Sequence, residues 1–129
     1  MMMKRKYRRM IKRYVRAYNN FDIDRMMADM DDDVKFENIA DGVVTLSLEG
    51  KDALKVQAGN AKNLFKKRKQ TITHYSFGKD YVEIRVNYSA IVAIDLPEGI
   101  KAGDSLELKG RSIFMFKDNK IIELKDIAE

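Results

Sequence analysis

Apolar residues recur at steps of three and four near the start of the chain: Tyr7, Met10, Ile11, Tyr14, Val15 and Tyr18. That spacing puts them on one stripe of a helix, which Asn19-Asn20 is placed to stop. Asp22 can cap a second helix, with Ile23, Met26, Met27 and Met30 as its buried stripe. Asp31-Asp32-Asp33 would end that helix in solvent. A third helix is expected from Lys51, just after Gly50, to about Lys67. Its apolar set is Ala53, Leu54, Ala58, Ala61, Leu64 and Phe65.

From Val34 onward, outside that third helix, the pattern is that of strands. Val34 to Ile39 and Val43 to Glu49 flank Asp41-Gly42, a pair suited to a tight hairpin turn. Gln70 to Phe77 and Tyr81 to Asp95 flank Gly78-Lys79-Asp80. Leu96-Pro97-Glu98-Gly99 interrupts the sheet, Ser105 to Phe116 resumes it, and Lys117-Asp118-Asn119-Lys120 turns into Ile121 to Ile127. Helices followed by a long antiparallel meander define an α+β class. Residues two apart share a strand face. Val34, Phe36 and Asn38 share one, and Val82, Ile84, Val86, Tyr88, Ala90 and Val92 another. Leu106, Leu108, Gly110, Ser112, Phe114 and Phe116 form a third, and Ile122, Leu124 and Asp126 a fourth. Asn38, Ser112 and Asp126 thus interrupt or end apolar faces. Tyr14 sets a phenol on the apolar stripe of the first helix. Each such inward polar group needs a partner, since an unpaired one costs about 1–3 kcal/mol.

Composition narrows the class. A chain of 129 residues, 45% hydrophobic and 35% charged, suits one globular domain spanning 1–129. The net charge of +5 is unevenly placed. Residues 1–20 carry eight Lys or Arg and no acid, leaving seventeen basic against twenty acidic residues, or −3, elsewhere. A second basic cluster, Lys66-Lys67-Arg68-Lys69, would close the third helix, where cations complement the helix dipole. With no cysteine, neither a disulfide framework nor a thiolate metal site can form. Met1 to Arg9 is basic but no apolar segment follows it, and no apolar run reaches the ~20 residues of a membrane span. A soluble cytoplasmic protein is the expectation. The sequence contains neither a Gly-rich phosphate loop nor a metal-ligand cluster, so no cofactor and no metal are expected. His74 is the only histidine and is assigned a structural or surface role.

The order of motifs resembles the nuclear transport factor 2-like superfamily, including SnoaL-type cyclases and ketosteroid isomerases. Arg13-Tyr14-Val15 with Ala17 and Asn19, then Asp22 and Asp24, resemble the first two helices of the isomerases. Asp32-Asp33-Val34 and Phe36-Glu37-Asn38 resemble their first strand, and Leu48 to Leu54 their entry to the third helix. Gly110 to Phe114 and Lys120 to Asp126 are similar to the closing strands of SnoaL-like members. The resemblance runs from Lys4 to Ile127. It implies a cystatin-like cone: three N-terminal helices packed on a curved antiparallel sheet that encloses an apolar pocket. It also implies a homodimer through the open sheet face, and outward Ile91, Ile113 and Met115 fit such a contact.

Isomerase catalysis uses a Tyr donor, a neutral Asp donor and an Asp base. By motif, Tyr14 matches the Tyr, Asn38 falls at the base and Ser112 at the second Asp. An amide cannot take and return a proton at neutral pH as a carboxylate does. The usual isomerisation route is therefore disfavoured, while Asn38 can still orient a carbonyl or hydroxyl. SnoaL-like proteins often place an Asp where Asp126 stands, so the resemblance makes Asp126 the acid–base candidate, with Tyr14 beside it. The other reading is a carboxyl near the chain end bonded to its neighbours. Asn38, Tyr14, Tyr88, Ser112 and Phe114 make up the expected ligand-contacting set. Ser112 equally makes room among aromatics, and Met26, Met27 and Met30 either pack the helix or form a pliable ligand wall.

Three functions follow. The first is binding of a small, largely apolar ligand without catalysis. The second is cofactor-independent isomerase, cyclase or hydrolase activity through Asp126. The third is an interaction module in which the basic first helix engages an acidic partner. The tyrosines of that helix lie on its core stripe and not on the surface for base stacking, which argues against nucleic acid.

Overall fold

A computed structural model describes residues 2–129 of the chain; Met1, the first residue of the basic segment Met1 to Arg9, lies outside the described residues. The first helix, α1 (Met2–Asn19), buries Tyr7, Met10, Ile11, Tyr14 and Val15, the stripe its periodicity marks. It ends where Phe21 takes a positive φ of 58°. Asp22 then caps α2 (Ile23–Met27), its carboxylate accepting from the Arg25 backbone N–H at 3.2 Å.

The expected boundaries shift most in two places, and the strand expected from Tyr81 to Asp95 already ends at Val92. Strand β1 spans Met30–Ala40, so the triple aspartate lies inside a strand and not at a helix end. Met30 pairs with Ile121, the register slips before Lys35, and the Asp31 carboxylate accepts from the Asp33 N–H at 2.9 Å. A bulge with its own side-chain partner holds the three acids extended. Asp32 and Asp33 do face solvent. Strand β2 (Val43–Glu49) follows a two-residue turn with Asp41 at φ 52° and Gly42 at φ 75°, the left-handed pair such hairpins need.

The second shift concerns α3 (Lys51–Lys62), which starts after Gly50 at φ 94° but stops short of Lys67. Strand β3 (Phe65–Phe77) takes over. The Leu64 carbonyl accepts from the Ala93 N–H at 2.8 Å, and Phe65 pairs with Val92. Sheet pairing satisfies this backbone, so Lys66–Lys69 belongs to a strand and does not cap a helix. Strand alternation turns Arg68 inward, where it is buried at 4% exposure.

Strands β4 (Tyr81–Val92), β5 (Ser105–Lys117) and β6 (Lys120–Ala128) complete one sheet in the order β2-β1-β6-β5-β4-β3. Every neighbouring pair is antiparallel except β1–β6, which is parallel. The meander thus returns its last strand beside its first. Asp118 and Asn119, both at positive φ, make the final hairpin turn. Bulges also reset faces. One between Met115 and Phe116 pairs Phe116 with Ile121, so Ile121, and not Ile122, is the fully buried residue of β6. Another between Ile72 and His74 leaves His74 exposed while Ile72 and Tyr75 pack against the core.

Helix α1 lies along the concave face on three aromatic rungs. Tyr7 stacks on Phe116 at 3.9 Å, Tyr14 meets Phe114 edge-on at 5.7 Å, and Tyr18 meets Tyr88 edge-on at 6.1 Å. Met26, Met27 and Met30 are buried in the same core. Among the described residues no helix is long and apolar enough to cross a membrane.

Candidate functional site

Three adjacent strands bring the polar interruptions of the apolar faces into one row. Asn38 of β1 pairs with Asp126 of β6, and Asp126 pairs with Ser112 of β5. Side chains at paired positions project from the same face of a sheet, with neighbouring strands about 4.8 Å apart. The row continues through Ile84 to Tyr75 on one side and to Leu46 on the other. The row beside it is wholly apolar: Leu48, Phe36, Leu124, Phe114, Val82 and Phe77. Asn38, Asp126 and Ser112 therefore share the concave wall, with Phe114 one step deeper and Tyr14 packed against its ring.

Ser112 is buried and donates its hydroxyl to Asp126 Oδ1 at 2.7 Å. Burial pushes the Asp126 carboxyl up to about 6, against the smaller downward pull of the Ser112 hydrogen bond. Tyr14 rises well above its ordinary value, first through burial and then through the Asp126 and Tyr18 groups, with Arg68 opposing. Those influences place the Tyr14 phenol in the field of Asp126.

The hydrogen bonds that are not made define the site. Among the described residues, the Tyr14 hydroxyl, the Asn38 amide and Asp126 Oδ2 have no protein partner. None of these atoms is sealed from solvent either, since the structure leaves no buried side-chain nitrogen or oxygen unsatisfied. A donor, an amide that both donates and accepts, and a carboxylate oxygen are thus left without a partner within the protein. Gly110, on the same face beside Ser112, adds no side chain there; a Cβ would stand 2.9 Å from the Ile127 carbonyl.

Tyr88 sits apart from this row. Its hydroxyl accepts from Tyr18 at 3.0 Å, and its ring meets Phe65 edge-on. Burial and the Tyr18 contact raise its titration. It belongs to the end of the concavity covered by the last turn of α1, two rows of the sheet away from Asp126. Tyr18 itself, the end of the helical stripe, packs against the core only partly buried and carries the hydrogen bond to Tyr88, which the periodicity reading did not show. Arg68 was hidden by the expectation of a continuing helix. Its guanidinium lies 3.7 Å from the Tyr18 ring centroid and 4.5 Å from that of Phe21. Its Nε donates to the Tyr18 carbonyl at 2.8 Å.

This architecture has known counterparts. The model of the SnoaL-like domain family matches residues 11–124, and the chain belongs to that family. A candidate polyketide cyclase from Xanthomonas campestris pv. campestris superposes with a TM-score of 0.83 at 16% identity, covering 97% of this chain and 91% of that one. An epoxide hydrolase from M. tuberculosis superposes at 0.74 with 16% identity, covering 94% and 80%. TerC, crystallised with polyporic acid, superposes at 0.76 with 13% identity, covering 96% and 92%. No curated protein sequence matches the chain.

Proposed function

We propose that the protein binds a small, largely apolar molecule in the concavity, holding a carbonyl or hydroxyl of that molecule with Asn38, Tyr14 and Asp126. One observation carries the reading: Asn38 and Asp126 stand side by side on the inner sheet face next to a wholly apolar row, and the Asn38 amide, Asp126 Oδ2 and the hydroxyl of Tyr14 on the covering helix have no partner among the described residues. A few convergent polar groups in an apolar recess are what a ligand pocket needs for both affinity and orientation. Membership of the SnoaL-like family supports a small-molecule role. The structural neighbours, a candidate polyketide cyclase, TerC with polyporic acid and an epoxide hydrolase, suggest polyketides, polyporic acid and epoxides as ligands to try first.

A second reading rests on Asp126 alone. A carboxyl titrating near 6 is mostly ionised at pH 7 yet still competent to return a proton. It would take a proton from the bound molecule and deliver it to another atom, as an isomerase, cyclase or hydrolase of this family would, with Tyr14 steadying the developing oxyanion. Half-buried Ile91, Ile113 and Met115 on the outer sheet face support self-association there, which sedimentation velocity measures directly.

The test is native mass spectrometry and thermal shift against aromatic polyketides, quinones, epoxides, lactones, steroids and fatty acids, using wild type, Asn38→Leu and Asp126→Asn. A ligand retained by wild type and weakened at least tenfold by Asn38→Leu, with the fold intact, supports the binding reading. Turnover of that ligand by wild type and not by Asp126→Asn supports the catalytic one. Ligands that bind wild type and Asn38→Leu alike overturn the assigned pocket.

A further inference from the structure

The two basic segments of the sequence, some fifty positions apart, meet in the fold. An open crevice of about 780 Å³ runs between α1 and the edge strand β3. Lys12 and Arg16 line it from the helix, and Arg68 and Lys69 from the strand. Asn19, Asn20, Gln70 and Thr71 add neutral polar groups, and no carboxylate lines it. Among the described residues none of the four cations makes an ion pair.

Arg68 distinguishes this crevice from an ordinary solvated basic surface. It is the one of the four that is buried, and a buried charge without a counter-ion is costly to hold. Its Nε bond to the Tyr18 carbonyl and its stacking over Tyr18 and Phe21 fix the guanidinium plane. Nη2 makes only a long contact with Met26 Sδ at 3.9 Å, and Nη1 makes no hydrogen bond to the protein. The same Nε bond occupies a carbonyl at the negative end of α1, which removes part of that end's repulsion for an anion. Asn19 braces the geometry: its Oδ1 accepts from the Gln70 N–H at 2.8 Å and its Nδ2 donates to the Gln70 carbonyl at 3.1 Å. A braced guanidinium at the floor, with exposed Lys12, Arg16 and Lys69 at the rim, suits a compact ligand carrying several negative charges. Clustered phosphoryl oxygens match that donor set better than a single carboxylate.

We propose that the crevice between α1 and β3 is a binding site for a multiply phosphorylated small anion, separate from the concave pocket. Calorimetric titration of the full chain with tripolyphosphate at 150 mM salt tests it, using wild type, the wall variant Arg16→Glu/Lys69→Glu, and the remote control Lys109→Glu. Circular dichroism establishes that each is folded. One equivalent bound by wild type, weakened at least tenfold in the wall variant and within twofold in the control, is the expected result. Multiple weak equivalents, equal loss in both variants, or no saturable binding at millimolar tripolyphosphate would overturn it. Parallel titrations with a nucleoside triphosphate and with phosphoinositide-containing vesicles distinguish a free anion from a lipid headgroup. Vesicle binding without tripolyphosphate binding counts against the proposal.

Discussion

The Ser112 hydroxyl donates to Asp126 Oδ1 at 2.7 Å across paired positions of β5 and β6. This bond holds one carboxylate oxygen and leaves Oδ2 without a partner among the described residues, while burial raises the titration of Asp126 and the Ser112 bond opposes it. The folded carboxyl titrates near 6 and the unfolded one near 3.8, so the folded state binds the proton more tightly. Its contribution to stability is therefore greatest at low pH, falls as pH rises from about 4 to about 6, and is gone above that. The amplitude is at most about 3 kcal/mol at 1.36 kcal/mol per unit, and smaller because the residue is half-buried. Asp126→Asn should gain about 1–3 kcal/mol over wild type at pH 8 and nothing at pH 4. Urea unfolding at both pH values measures this; a difference between the two proteins that does not change with pH would refute it.

Removing the hydroxyl should act in the opposite direction from removing the charge. Ser112→Ala deletes the influence that pulls the Asp126 titration down, so the midpoint should move above that of wild type. Stability at pH 8 should drop by about 1–3 kcal/mol, because a hydrogen bond to an ionised group is lost. Carboxyl-carbon NMR titration follows the midpoint directly.

Two tyrosines of one helix should separate function from stability. The Tyr14 hydroxyl has no protein partner, so Tyr14→Phe should leave unfolding free energy within about 0.5 kcal/mol of wild type. It should nonetheless weaken whatever ligand Asn38 holds. Tyr18→Phe breaks the 3.0 Å bond to Tyr88 and should cost about 1 kcal/mol. Equal stability losses in the two variants would mean that the Tyr14 hydroxyl has a structural partner after all.

Arg68 is expected to be the most sensitive of the basic residues. Arg68→Met strands the Tyr18 carbonyl and removes the stacking on Tyr18 and Phe21, at a cost of about 2–4 kcal/mol. Lys66→Met, at an exposed position where the register of β3 slips, should change stability by less than about 0.5 kcal/mol. Chemical denaturation of the pair measures the contrast.

Much of the fold was legible because its signals are local. The α1 stripe, the Asp22 cap, the Asp41-Gly42 turn and the alternation of β4 depend on residues a few positions apart, and the structure matches each. The family resemblance rested on the order of these same signals. The departures arose where long-range pairing overrode a local preference. Leu64 to Lys69 continues a helical pattern, yet β4 offers its backbone a ladder, and the chain became strand. Ile122 alternates correctly with Leu124, yet a bulge opposite Phe116 put Ile121 inside.

The candidate site divides in the same way. Alternation alone marked Asn38, Ser112 and Asp126 as polar groups on apolar faces, because the period of a strand is a property of the chain. That the three stand in one row was decided by the parallel pairing of the last strand with the first, which no local pattern encodes. The inward turn of Arg68, and the meeting of two distant basic segments beside it, were likewise products of tertiary packing. Periodicity says which way a side chain points from its own element; only the register between elements says what it points at.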